Sequence, residues 1–181
     1  MDNIVRLYTS LDGRISRKTW WLGVLGLIVA SIVLGLLLGL VGLSMWPSMG
    51  APDVADPDAL SAALAAGSRS AAWGGLISFV ILAYPSYALS LKRRQDRDNN
   101  GLDLKVYYGL TVVMLLVQAV GIGYAPAEVP GLPGVMVPTP SLPLVIVGFA
   151  VGIAALYLLI VMGFLKGTPG PNTYGPDPLA A

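Results

Sequence analysis

The chain has no cysteine and no histidine among its 181 residues. Their absence excludes disulfides, thiolate zinc sites, an axial haem histidine and every catalytic dyad or triad that needs an imidazole or a thiol. Charge is the next scarcity. Eleven Lys and Arg with ten Asp and Glu make up 12% of the residues, against about a quarter in soluble domains. A formal net charge of +1 supplies no basic surface for nucleic acid, so no nucleic-acid partner is expected, and no cofactor is expected either. What the chain has in abundance is apolar: 55% hydrophobic residues and a mean hydropathy of +0.73. That is the composition of a polytopic membrane protein whose first partner is the lipid bilayer.

Four long apolar runs carry this expectation. Trp20 to Leu43 is uncharged, long enough as a helix to cross a hydrocarbon core of about 30 Å, and too long for the apolar part of a cleaved signal peptide. The other runs lie at about 71–91, 106–124 and 144–165. The expected fold is all-α: a bundle of four transmembrane helices preceded by a short interfacial helix. That first helix is read from Ile4, Val5, Leu7, Tyr8 and Leu11, spaced three or four apart within a cytoplasmic amphipathic segment, residues 1–19. Asp12-Gly13 breaks it, and Ser16 is placed to cap a helix starting at Arg17. Arg14, Arg17 and Lys18 followed by Trp20-Trp21 read as a membrane boundary. The transmembrane domain covers residues 20–165, and a Gly/Pro-rich cytoplasmic tail covers 166–181.

The connections differ in character. Residues 45–70 form an irregular loop with Pro47, Pro52, Pro57, Asp53, Asp56 and Asp58, and Ala59 to Ala66 is expected to make a short surface helix. Pro85 is expected to kink the second span. Gln118, the polar residue of the third span, suits a contact between helices. Residues 125–143 hold six prolines and are expected to run extended or polyproline-like. Gly35 with Gly39, and Gly148 with Gly152, are spaced for close helix approach. Lys and Arg number four before the first span, one in the first loop, five in the central loop, none in the proline loop and one in the tail. Ten of the 11 therefore share one side, which puts both termini and the central loop in the cytoplasm.

The central loop, Lys92 to Lys105, concentrates eight charged residues between two apolar runs. Asp96, Asp98, Asn100 and Gly101 match the first half of an EF-hand loop, but position 12 is Tyr107 and Arg93, Arg94 and Arg97 flank the site. These three oxygen donors are weak metal candidates, and no metal is expected. A second reading gives Lys92, Arg93, Arg94 and Arg97, with Arg14, Arg17 and Lys18, to anionic lipid headgroups or an acidic partner. A third makes the loop structural, with Asp96 and Asp98 paired to arginines and Asp96 placed for an arginine of the N-terminal segment.

Three segments resemble one family, the small bacterial inner-membrane proteins grouped as domain of unknown function 805. Gly13-Arg14-Ile15-Ser16-Arg17-Lys18-Thr19-Trp20-Trp21 is similar to its opening Gly-Arg-Ile-Ser-Arg motif. Lys92-Arg93-Arg94-Gln95-Asp96 with Asn100-Gly101 is similar to its Arg-Arg-Leu-His-Asp and Ser-Gly-Trp segment, though Arg94, Gln95 and Leu102 stand where leucine, histidine and tryptophan are usual. Asn172-Thr173-Tyr174-Gly175-Pro176-Asp177-Pro178 is similar to its closing Asn-x-Tyr-Gly-x-Asp-Pro. The resemblance implies a bundle in the bacterial inner membrane and points to no particular activity, since the family's function is not established. Charge counting puts all three segments on one side, so Arg14, Arg17, Arg93, Asp96, Gly101, Asn172, Tyr174 and Asp177 are expected to form one cytoplasmic polar cluster.

With no nucleophile–base pair and no ligand set in the sequence, the expected function is non-catalytic. The chain reads as an accessory, scaffold or regulatory subunit that binds other integral membrane proteins and anionic headgroups. The alternatives are a small transporter or channel, which would be expected to place ionisable residues inside its spans, and a lipid-headgroup-binding protein or enzyme using the central loop.

Overall fold

The computed structural model describes residues 2–43 and 55–180. In chain order it has α1 (Asp2–Thr9), α2 (Arg17–Leu40), α3 (Pro57–Gln95), α4 (Leu102–Val120), β1 (Tyr124–Glu128), β2 (Met136–Pro140) and α5 (Leu142–Gly163). Helices α2, α3, α4 and α5 are long and apolar enough to cross a membrane. The protein is mostly helical, with one short N-terminal helix and little sheet.

Local chemistry sets the helix ends. The Ser16 hydroxyl accepts the Thr19 amide at 3.2 Å and starts α2. Asp56 accepts the amides of Asp58 and Ala59 at 3.0 and 3.3 Å, with Pro57 in the first helical position of α3. At the far end of α3, Asn99 N–H bonds Arg94 O and Asp98 N–H bonds Gln95 O, while Asp98 takes a left-handed φ of 54°. This is a Schellman close with Asp98 in the position usually given to glycine. The EF-hand-like residues therefore terminate a helix. Gly121, φ 78°, closes α4 by the same bonding pattern.

One expectation about the connections is corrected, and the extended course expected of the proline segment takes a paired form. The short surface helix at 59–66 and the span beginning at 71 are one continuous helix, because Gly67 to Ser70 costs too little propensity to break an alanine-rich run. At 39 residues α3 is about 58 Å long, roughly twice the hydrocarbon thickness. The proline segment is a paired hairpin: β1 and β2 are antiparallel with Pro126 opposite Pro138. Prolines facing each other leave the remaining amides free to make the ladder. The part of the first loop at 44–54, with Pro47, Pro52 and Asp53, lies outside the described residues.

The chain divides into two compact units. The first comprises Met1–Ser31, Val80–Thr111 and Val151–Ala181. Its core is Ile15, Trp20, Leu89, Leu91, Leu104, Leu158 and Met162, with Tyr8 and Tyr108 packed against it. Gly23 admits Leu89 so closely that an added Cβ would stand 2.5 Å from its Cδ1. Tyr8 donates to Gly23 O at 2.9 Å and Tyr84 to Thr9 O at 2.7 Å, which fastens α1 to this core.

The second unit comprises Ile32–Phe79 and Val112–Ala150. Ala72, Leu76 and Ala119 form its small core. The hairpin is tied to the start of α3 by Met136 N–H to Ser61 Oγ, 2.8 Å. Of the expected close-approach faces, an added Cβ at Gly35 or Gly152 would meet nothing within 4 Å, and at Gly148 only Met114.

Candidate functional site

The polar residues of the first unit converge on Asp96. It is 3% exposed and Arg93 is 1% exposed, so both charges have left water and require partners. Asp96 Oδ1 accepts Arg14 Nε at 3.1 Å and lies 3.1 Å from Arg14 Nη2, while Oδ2 is ion-paired with Arg93 Nη1. Each carboxylate oxygen thus meets a different guanidinium.

The two arginines use their other donors on main-chain carbonyls. Arg14 reaches Gly170 O and Gly175 O through Nη1, at 2.7 and 3.1 Å, and Thr168 O through Nη2 at 2.7 Å. Arg93 donates to Met162 O at 2.8 Å and Leu165 O at 2.5 Å. The last turn of α5 leaves carbonyls without intrahelical partners and carries the negative end of the helix dipole. Arg17 Nη1 takes Phe164 O and Trp21 Nε1 takes Gly163 O at the same end, at 2.9 and 3.1 Å. Arg97 takes Lys166 O, and Lys92, 4% exposed, takes Arg6 O and Leu7 O at the end of α1. Lys92 and Arg93 therefore cap the C-terminal ends of α1 and α5, and Arg93 is also a counter-charge to Asp96.

The tail closes over this group. Thr168 donates its amide and hydroxyl to Asp96 O at 2.9 and 3.1 Å. Asn172 Nδ2 donates to Gln95 O and Thr168 Oγ1, both at 2.9 Å, and Asn172 Oδ1 accepts the Tyr174 amide. Asp177 accepts the amides of Gly170 and Leu179 at 3.0 and 2.9 Å, and these bonds hold its carboxyl below the usual aspartate range. At Gly167 an added Cβ would collide with the Asp96 carboxylate.

Of the residues singled out in the sequence, Arg14, Arg93, Asp96, Asn172 and Asp177 are linked through these bonds. Tyr174 contributes its amide, and Arg17 serves α5 in place of Asp96. Gly101 belongs to a separate turn, φ 71°, where an added Cβ would press on Leu91. The expected pairing of Asp98 with an arginine is corrected: Asp98 accepts the Thr173 amide at 3.2 Å, and Arg94 pairs with Asp103 at 2.6 Å. Asn100 accepts the Leu102 amide at 3.1 Å. The oxygens of Asp96, Asp98 and Asn100 thus each face a different partner, and the described residues hold no cluster of three acidic, histidine or cysteine side chains fit for a metal.

Thr168 and Gly167 escape the sequence reading, since one hydroxyl in a Gly/Pro tail carries no periodic signal. The α5 carbonyls that receive Arg17 and Arg93 are equally silent, because main-chain acceptors have no residue type.

These features define a multi-pass membrane protein in which a buried arginine–aspartate clasp gathers helix ends and tail. A family model described as "Protein of unknown function (DUF805)" matches residues 8–176, and the chain belongs to that family. No curated protein and no solved structure matches it.

Proposed function

We propose that this chain is a non-catalytic protein of the bacterial inner membrane, with both termini and the clasp in the cytoplasm, serving as an accessory, scaffold or regulatory subunit for other integral membrane proteins. The observation that carries the reading is how the buried charges are used. Arg14, Arg93 and Asp96 bind one another and main-chain carbonyls, an arrangement suited to holding helix ends rather than to moving protons. Placing ten of 11 basic residues on one side supports the orientation, and the open space beside Gly35 of α2 and Gly152 of α5 among the described residues supports partner helices. Exposed Arg17 and Lys166, beside a cavity of about 280 Å³, suit anionic headgroups at that surface.

The test is purification of the tagged full-length chain from bacterial membranes in mild detergent. A membrane protein retained in fixed stoichiometry, and lost when Gly152→Leu fills the open face of α5, is the expected result. Recovery of a lone monomer contradicts the proposal.

A further inference from the structure

Arg69 is the basic residue of the second unit, and its situation is unlike that of the clasp arginines. Among the described residues it has no ion pair and no hydrogen-bond partner. It lines a cavity of about 520 Å³ formed by the first third of α3, the end of α4 and the hairpin. Gln118 lines the same cavity, and its side-chain amide is likewise without a partner among the described residues. The remaining wall is chiefly apolar, including Ala62, Ala65, Pro126 and Val137. A lone cation and a lone amide over an apolar wall are complementary to a ligand with an anionic head and a hydrocarbon body.

Position in the membrane narrows the head. The charge-free run of α3 begins at Ala71, two residues after Arg69, so Arg69 stands where the hydrocarbon begins. Trp73, 41% exposed, lies one turn away, and Tyr124, at the start of β1, lines the cavity. Aromatic side chains of this kind collect at the headgroup level, which is also where lipid phosphates lie. An arginine there presents a planar fork matched to phosphate oxygens.

We propose that this cavity binds an anionic phospholipid-like amphiphile, with Arg69 and Gln118 taking the phosphate oxygens and the alanine–proline wall receiving the upper acyl chain. The site lies outside the clasp and requires no partner protein.

The probe is phosphatidylglycerol carrying a photoreactive acyl chain, added to the full-length protein in neutral detergent, with cross-linked peptides mapped by mass spectrometry. Cross-links are expected in peptides containing residues 61–69 and 118–138. Arg69→Gln lowers their yield about tenfold, the equivalent of one charge-assisted contact; Arg69→Lys, which keeps the charge, lowers it about threefold or less; Lys105→Gln, at an exposed lysine of the first unit, leaves it unchanged. A photoreactive phosphatidylcholine labels these peptides several-fold less, because its choline opposes Arg69. Circular dichroism confirms that Arg69→Gln keeps its helicity. Equal labelling of wild type and Arg69→Gln overturns the proposal. So does displacement by inorganic phosphate as readily as by unlabelled phosphatidylglycerol, which would make the site one for the free ion.

Discussion

Asp96 holds two guanidinium groups while itself almost fully buried, and this makes the effect of its removal asymmetric. Forming a buried ion pair gains little over an apolar substitute, but deleting one partner strands the other charges without solvent. Asp96→Ala is expected to destabilise the protein by about 3–5 kcal/mol, read as a fall in the thermal midpoint in detergent; a midpoint unchanged within a degree would contradict the clasp. Gly167→Ala, whose methyl collides with the same carboxylate, should act in the same direction while Gly170→Ala, with φ 73° and open space around it, reports the backbone strain alone. An arginine partner for Asp96 is legible in the sequence, because a carboxylate in a basic loop beside lipid has few alternatives. That it takes two arginines, Arg93 in the last turn of α3 just before it and Arg14 from the N-terminal segment, depends on how that segment and the tail are brought together.

Each long helix is set by its ends as much as by its apolar run. Ser16→Ala removes the cap of α2 and should cost about 1 kcal/mol, read from the unfolding midpoint; no change would mean that another group replaces the hydroxyl. The tail turn carries a pH dependence with a definite sign. The Asp177 carboxyl is held below its usual range by the Leu179 and Gly170 amides, so its contribution is present above that range and fades as pH falls through the folded value. Amide-exchange protection at Gly170 and Leu179, corrected for intrinsic rates, should be level from neutral pH to about 5 and decline below about 4. In Asp177→Asn the decline disappears, whereas a persistent decline would assign it elsewhere. At this scale the sequence is uneven as a guide. Apolar runs mark the spans because lipid demands them. The join of α3 across Gly67–Ser70 is hidden because glycine and serine are common loop residues, and the hairpin is hidden because prolines suppress the strand signal that their mutual pairing permits.

For the whole molecule, the absence of cysteine makes topology directly measurable. A single cysteine placed at Thr173 is expected to react with a membrane-impermeant maleimide only after the inner membrane is opened, and one at Gly131 before it. The reverse pattern contradicts the proposed orientation. The number of spans is legible from the length and spacing of the apolar runs, whereas the clasp depends on residues as distant as Arg14 and Gly175 meeting in space. Through the clasp, the N-terminal segment, the end of α3 and the tail act as one unit. The most direct test of this unity is a thermodynamic cycle combining Arg14→Ala with truncation after Gly167, which removes the Thr168, Gly170 and Gly175 carbonyls that Arg14 binds. Each change alone should lower unfolding stability, and the double variant should be less destabilised than the sum by at least about 1 kcal/mol. Strictly additive effects, or a truncated chain as stable as the full one, would mean that the segment and the tail hold the protein independently.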